Sequence, residues 1–258
     1  MGKCPKQGPT HLSYQMACQG AGIKILSWNV RGLGNKIKRG TVVQFIKRHD
    51  PDIVLLQETH RKGTVFQALN RKGYKMVAHA GYTMDARGVG ILQRKALPLI
   101  VQNIHSDPLG RYVALTGEWE GRVLNVVSIY SPPRLHEPLL RDLGSLLLKL
   151  PEGILIAGGD YNMTMSAEDR WPIKVATARE LPLARFVKAF GLADLWRGQN
   201  PEARQYTFYS GAHGSRSRID HLLVHAHHAP KFARTTHLAR GISDHSPVWT
   251  ELRLQDHQ

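Results

Sequence analysis

The chain has 258 residues, 35 Lys and Arg against 20 Asp and Glu, a formal net charge of +15 and two cysteines. A hydrophobic share of 42% excludes a wholly disordered chain, and the lack of any long apolar run excludes a membrane-spanning helix. Cys4 and Cys18 fit no Cys-x-x-Cys spacing, which argues against a disulfide scaffold or a cysteine zinc site and fits a reducing compartment.

Residues 1–21 mix Gly, Pro, Gln and Cys without periodicity or an apolar secretory core, and read as a flexible leader before one domain over 22–255. IKILSWNV reads as a strand closed by the glycine turn RGLGN. VVQFIKRH has helical spacing and stops at Asp50-Pro51, because the residue before a proline is pushed out of the helical region. DIVLLQET is a continuous apolar strand, the kind covered on both faces. Further strands are predicted at GVGILQR, RYVALTGEW, RVLNVVSIY, GILIAGGDYN, QYTFYS, RIDHLLVH and SPVWTELRL, with helices over 62–71, 137–150 and 179–190. Strands joined by short turns such as Glu120-Gly121 and interspersed with helices predict mixed sheets covered by helices. Basic residues are spread along the chain rather than gathered in a tail. They predict a folded surface facing a polyanion, nucleic acid ahead of an anionic membrane.

Polar residues fall at the C-terminal ends of the apolar strands. Asn29 follows ILSW, Glu58 follows IVLLQ, Tyr130 follows VVSI, and Asp160 and Asn162 follow ILIAGG. Asp220 and His221 interrupt SRIDHLLV, and Ser243-Asp244-His245 precede SPVWTEL. Singly these have plain structural explanations: turn formers, a helix N-terminal acid, a satisfied core histidine. Together in one basic chain they place carboxylates, amides and an imidazole where a rigid sheet presents chemistry. A zinc reading of His221, His225, His227 and His228 is disfavoured, because no helical or Cys/Glu ligand spacing accompanies them. Gly158-Gly159 reads as a tight strand-end turn, and no Gly-Lys-Ser/Thr follows to make it a phosphate loop.

ILSWNVRGL, PDIVLLQETH, VSIYSP, LIAGGDYN, YTFYS, SRIDHLLV and ISDHSPV, in this order over about residues 23–254, resemble the endonuclease/exonuclease/phosphatase superfamily, which includes deoxyribonuclease I and exonuclease III. WNVRGL, GRYV, GGDYN followed by EDR, and YTFYS with SxIDH resemble the endonuclease domain of LINE-type retrotransposon ORF2 proteins. The resemblance implies an α+β fold, a four-layer α/β/β/α sandwich of two mixed β-sheets. It implies metal-side residues Asn29, Glu58 and Asp244, and catalytic residues Tyr130, Asp160, Asn162, Asp220 and His245. Arg31, Arg170, Thr207, Arg218 and Ser243 are expected at or supporting the DNA surface.

The implied activity is nicking of double-stranded DNA with Mg²⁺, for which Mn²⁺ substitutes, leaving a 3′-hydroxyl that primes reverse transcription. Implied too are a larger reverse-transcriptase polyprotein, a monomeric isolated domain and an intracellular, nuclear location without membrane contact. Hard oxygen donors with room left for water and phosphate suit Mg²⁺, and an Asp behind a His fixes its tautomer. The alternatives are an exonuclease III-like or abasic-site enzyme, a lipid or inositol phosphatase, and an inactive DNA-binding remnant. Abasic-site enzymes carry an Asp where Arg31 stands, and Trp-Arg-Leu-Asp where this chain has Ser217-Arg218-Ile219-Asp220.

Overall fold

A computed structural model describes residues 22–60, 70, 73–83, 86–173 and 181–253. The expected leader and most of the expected helix 62–71 lie outside them. One six-stranded sheet contains β1 (Ile23–Asn29), β2 (Ile53–Gln57), β3 (Tyr74–Ala80), β4 (Val89–Arg94), β14 (Thr236–His237) and β15 (Val248–Leu252), in the order β14-β15-β1-β2-β4-β3. The second contains β5 (Ile100–Ser106), β6 (Tyr112–Trp119), β7 (Arg122–Tyr130), β8 (Ile154–Asp160), β10 (Leu192–Asp194) and β13 (Asp220–His225), in the order β10-β13-β8-β7-β6-β5. β1–β2 and β7–β8 are parallel pairs at the sheet centres; the other pairings are antiparallel.

The two sheets pack face to face, and the period-two alternation of each strand decides which layer each side chain enters. Ile53 and Leu55 of β2 join Val126, Ile156 and Leu222 between the sheets. Val54 and Leu56 turn outward to Val42, Val43 and Ile46 of α1 (Lys36–His49). On the other side, Leu155 and Ala157 of β8 meet Leu139, Leu140 and Leu143 of α2 (His136–Leu147) and Leu183 and Phe186 of α3 (Pro182–Ala189). Both faces of β2 and β8 are therefore covered, which is why neither strand has an exposed residue. The result is the four-layer α/β/β/α sandwich expected.

Gly158 and Gly159 correct the sequence reading. They form no turn: Gly158 pairs with Ser128 and Leu222, and Gly159 with Ile129 and His221, inside β8. A Cβ at Gly158 would lie 2.5 Å from Leu222 Cδ2 and 2.6 Å from Leu55 Cδ1, so the missing side chain lets the sheets approach near the strand ends.

α1 starts a full turn earlier than its apolar spacing predicts, because Asn35 caps it by accepting from the Ile37 and Lys38 amides. Asp50 ends it in the left-handed conformation (φ 50°). β3, β5, β10, β14 and α4 (Leu195–Gln199) were not anticipated. A separate three-stranded sheet, order β11-β12-β9, joins β11 (Phe208–Ser210) and β12 (Ser215–Ser217) to β9 (Arg170–Trp171). No helix among the described residues is long and apolar enough to cross a membrane.

Candidate active site

The register brings the strand-end residues together. Tyr130 is opposite Asp160 across β7–β8, and Asp160 is opposite Asp220 across β8–β13. Asn29 ends β1 beside Gln57, placing Glu58 next to it at the same end of the other sheet. The gap between the sheets closes through Asn29, whose Nδ2 donates to Asp160 Oδ2 at 2.8 Å and Glu58 Oε1 at 3.0 Å. Below it, Gln57 Nε2 reaches Ser27 Oγ at 3.3 Å and Ser128 Oγ at 3.2 Å, a polar floor shared by both sheets.

His245 lies on the segment leading into β15. Its Nδ1 donates to Asp220 Oδ2 at 2.9 Å, and its Nε2 lies 3.8 Å from Asp160 Oδ2. The segment is fixed by Trp28 Nε1 donating to the His245 carbonyl at 3.2 Å and by Ser243 Oγ donating to the Asn29 carbonyl at 2.7 Å. The amide of Asn162 donates to Asp160 Oδ1 at 2.9 Å, and its side chain donates to the Ser131 carbonyl at 2.8 Å.

Electrostatics sort these groups by role. Burial pushes Asp160 well above the usual carboxylate range, opposed in part by the charge of His245. Burial works against charge on His245, but Asp220 and Asp160 on either side outweigh it and raise its pKa. Glu58 goes the other way: hydrogen bonds from His60 and Asn29 outweigh its burial and hold it below its ordinary value. Burial, together with the charges of Glu58 and Asp160, raises the Tyr130 phenol, so it stays protonated near neutrality. One carboxyl is thus tuned toward proton transfer and another toward permanent charge.

The loops carrying these groups are conformationally unusual. Arg31 (φ 46°), Glu58 (φ 49°), His60 (φ 53°) and Asn162 (φ 49°) all sit in the left-handed region. His60, which no sequence pattern singles out, donates from Nε2 to Glu58 Oε2 at 3.1 Å.

The residues expected at DNA divide in two. Arg31 and Arg170 are exposed. Arg31 pairs with Asp244, so the charge of that expected metal-side acid is already balanced. Thr207, Ser243 and Arg218 are buried and hold the site from within. Thr207 Oγ1 accepts from the Ile219 and Asp220 amides, both at 3.1 Å, and so places the start of β13. Ser243 accepts from the His245 amide at 3.2 Å while donating to Asn29.

Arg218 is 1% exposed and grips Asp169 bidentately at 2.7 and 2.9 Å while also pairing with Asp194. Arg197 is a second arginine on Asp169, at 2.7 Å. Burial opposes ionisation of both Asp169 and Asp194, but Arg218 outweighs it and pulls both below the usual range. His221 belongs to this network, its Nε2 donating to the Met163 carbonyl at 2.9 Å and its Nδ1 lying 3.0 Å from Asp194. It is a satisfied core histidine and not a zinc ligand.

The donor set suits a hard divalent cation. Glu58 is held ionised with its side chain 19% exposed, and Asn29 Oδ1, accepting from the Arg31 amide at 2.9 Å, keeps one lone pair. Asp160, Asp220 and His245 also bring ligand atoms within 4.8 Å of one another. The Nδ1–H bond to Asp220 fixes the tautomer of His245 and leaves Nε2 facing Asp160.

Comparison with known proteins agrees with this arrangement. Residues 26–245 match the Endonuclease/Exonuclease/phosphatase family. The chain is 28% identical over 231 residues to the Transposon TX1 uncharacterized 149 kDa protein of Xenopus laevis, covering 88% of this chain but 18% of that relative. It is similar in structure to the AP endonuclease LMAP from Leishmania major (TM-score 0.72, 17% identity, 90% of this chain and 88% of that one). It is similar also to the 3′-5′ exonuclease NExo from Neisseria meningitidis (TM-score 0.72, 23% identity, 89% of this chain and 99% of that one). At such identities these two carry the fold alone, and the family match over most of the chain carries the assignment. The chain belongs to the endonuclease/exonuclease/phosphatase family.

Proposed function

We propose that this domain is a Mg²⁺-dependent endonuclease that nicks intact duplex DNA and leaves a 3′-hydroxyl and a 5′-phosphate. The observation that carries the reading is Asn29 bridging Asp160 and Glu58 across the sheets, with His245 and Asp220 behind them. Glu58 and Asn29 would hold the cation, with Mn²⁺ as a substitute. The bound ion supplies charge neutralisation on the phosphoryl oxygens. Asp160, with its raised pKa, orients the attacking water and takes its proton. His245, kept protonated by two carboxylates, and the Asn162 side chain hold the scissile phosphate. Tyr130 stands beside Asp160 as a neutral hydroxyl that donates to an oxygen of the reacting group.

Intact duplex is preferred to an abasic lesion because Arg31 stands where abasic-site enzymes of the family carry an acid. The TX1 likeness supports a transposon setting, in which the domain belongs to a larger polyprotein in the nucleus and the new 3′-hydroxyl primes reverse transcription. The test is to incubate the protein with supercoiled plasmid, an abasic oligonucleotide and a phosphoinositide, each with Mg²⁺ or chelator. Plasmid relaxation that needs Mg²⁺ and is lost in Glu58→Ala is expected, with binding that weakens steeply with salt as counterions are released. Preferred cleavage of the abasic strand, or phosphate release from the lipid, would overturn the assignment.

A further inference from the structure

The small three-stranded sheet carries a row of side chains that the nicking chemistry does not use. Tyr209 of β11 is directly opposite Arg216 of β12, and Arg216 is directly opposite Trp171 of β9. Residues directly opposite across neighbouring strands share a face, so the three form one line across the ribbon. The Arg216 guanidinium carbon lies 5.9 Å from each ring centre, and Arg240 adds a second cation 5.1 Å from the Tyr209 ring. The neighbouring row, Phe208, Ser217 and Arg170, takes the other face, where Phe208 lies 4.9 Å from the His245 ring. The arginine–aromatic row therefore faces away from the catalytic histidine.

Stability does not explain this row. Trp171 is 50% exposed and Tyr209 37% exposed on a ribbon with strands of only two or three residues. A recess of about 660 Å³ opens beside it, lined by Arg204, Arg216 and Arg240 with Tyr206 and Tyr209, and among the described residues no carboxylate borders it. Half-exposed rings alternating with arginines, beside a recess without acids, match a ligand that has both flat apolar faces and repeated negative charge. Unpaired nucleic acid has both. Paired bases in a duplex have their faces already covered by neighbours and gain little from such a row.

We propose that the Trp171–Arg216–Tyr209–Arg240 row is a stacking platform for an unpaired strand, the kind that opens beside a nick. Free bases stack on the rings, and the arginines pair with the phosphates between them. The inference shares with the nicking assignment only the premise that the partner is nucleic acid.

The test is fluorescence anisotropy of a labelled oligothymidylate and an abasic oligonucleotide of equal length, in chelator so that nothing is cleaved. The wild type is expected to bind the thymidylate more tightly than the abasic strand. Trp171→Ala and Tyr209→Ala should each weaken thymidylate binding about tenfold or more, since base–aromatic stacking is lost. Tyr209→Phe keeps the ring and should restore it. Arg216→Gln should weaken both strands. Thermal unfolding monitors the fold, and Tyr209→Ala and Arg216→Gln keep the test open should Trp171→Ala not fold. Plasmid nicking in Mg²⁺ should be retained in all four variants. Equal wild-type affinity for the two strands, or thymidylate binding unchanged in both alanine variants, would overturn the proposal. A wild type that stacks thymidylate but never nicks plasmid would support the platform and overturn the nuclease reading instead.

Discussion

Replacing Arg218 with Met tests whether the buried ionic network holds in place the end of β13 that carries Asp220. The guanidinium is 1% exposed and serves two carboxylates, whose side chains are 0% (Asp169) and 5% (Asp194) exposed. Removing it leaves those acids buried beside a thioether, with the Arg197 guanidinium still on Asp169 and the Arg197 amide and His221 beside Asp194. Breaking a buried pair in this way costs about 3–5 kcal/mol. In a domain of this size each kcal/mol lowers Tm by about 2–4 °C, so a fall of about 6–20 °C is expected.

The pH dependence gives a second signature. Both acids have depressed folded pKa values. The unfolded chain therefore binds more protons than the folded one as the pH drops toward those values. Stability from the network is complete above about pH 4, the ordinary aspartate value, and is lost as pH falls through the depressed folded values. In Arg218→Met both acids lose the charge of Arg218, Asp194 its one buried guanidinium, and ionise less readily, so acidification relieves the variant while it strains the wild type. Differential scanning fluorimetry at neutral pH and near pH 4 should show the Tm gap narrowing. A variant within about 2 °C of wild type at neutral pH, less than 1 kcal/mol in such a domain, would refute the reasoning, as would a gap that does not change with pH.

Asp220→Asn should leave the fold intact and lower nicking by about 10²–10⁴, because His245 loses the carboxylate that fixes its tautomer and charge; plasmid relaxation rates measure it. His60→Ala removes a donor from Glu58 and should raise the Mg²⁺ concentration for half-maximal nicking by about tenfold or more, with the rate recovering at high Mg²⁺. Gly158→Ala forces a methyl group against Leu55 and Leu222 and should destabilise the fold by about 1–3 kcal/mol, read from urea unfolding.

The central strands were legible in the sequence because helices and sheets cover them on both sides. IVLL and GILIAGG are apolar at every position, and only a strand between two layers asks for that. β5 was missed for the opposite reason: it is an edge strand with exposed residues at most positions, and IVQNIHS has no alternation to read. Site residues stood out where they interrupted an apolar run, as Asp160 and Asp220 do. The buried network of Arg218 is not legible, because its charge is visible in sequence while its two partners, 24 and 49 positions away, are not. His60 gave no signal, since its role arises from a bond to Glu58 within a backbone turn that no residue-type preference announces.

The left-handed backbone at Arg31, Glu58 and His60 sets two selective pressures against each other. Such a conformation disfavours any side chain with a Cβ by roughly 1–2 kcal/mol, and glycine escapes the penalty. At Glu58 the replacement that relieves the backbone is therefore the one that removes the carboxylate and its bonds to His60 and Asn29. A copy of this domain with no use for that carboxylate would have glycine open to it at position 58, free of the backbone strain. Glutamate retained at position 58 in a related chain is then a record that activity was being selected. That record is stronger than conservation in the core, where folding and function ask for the same residues.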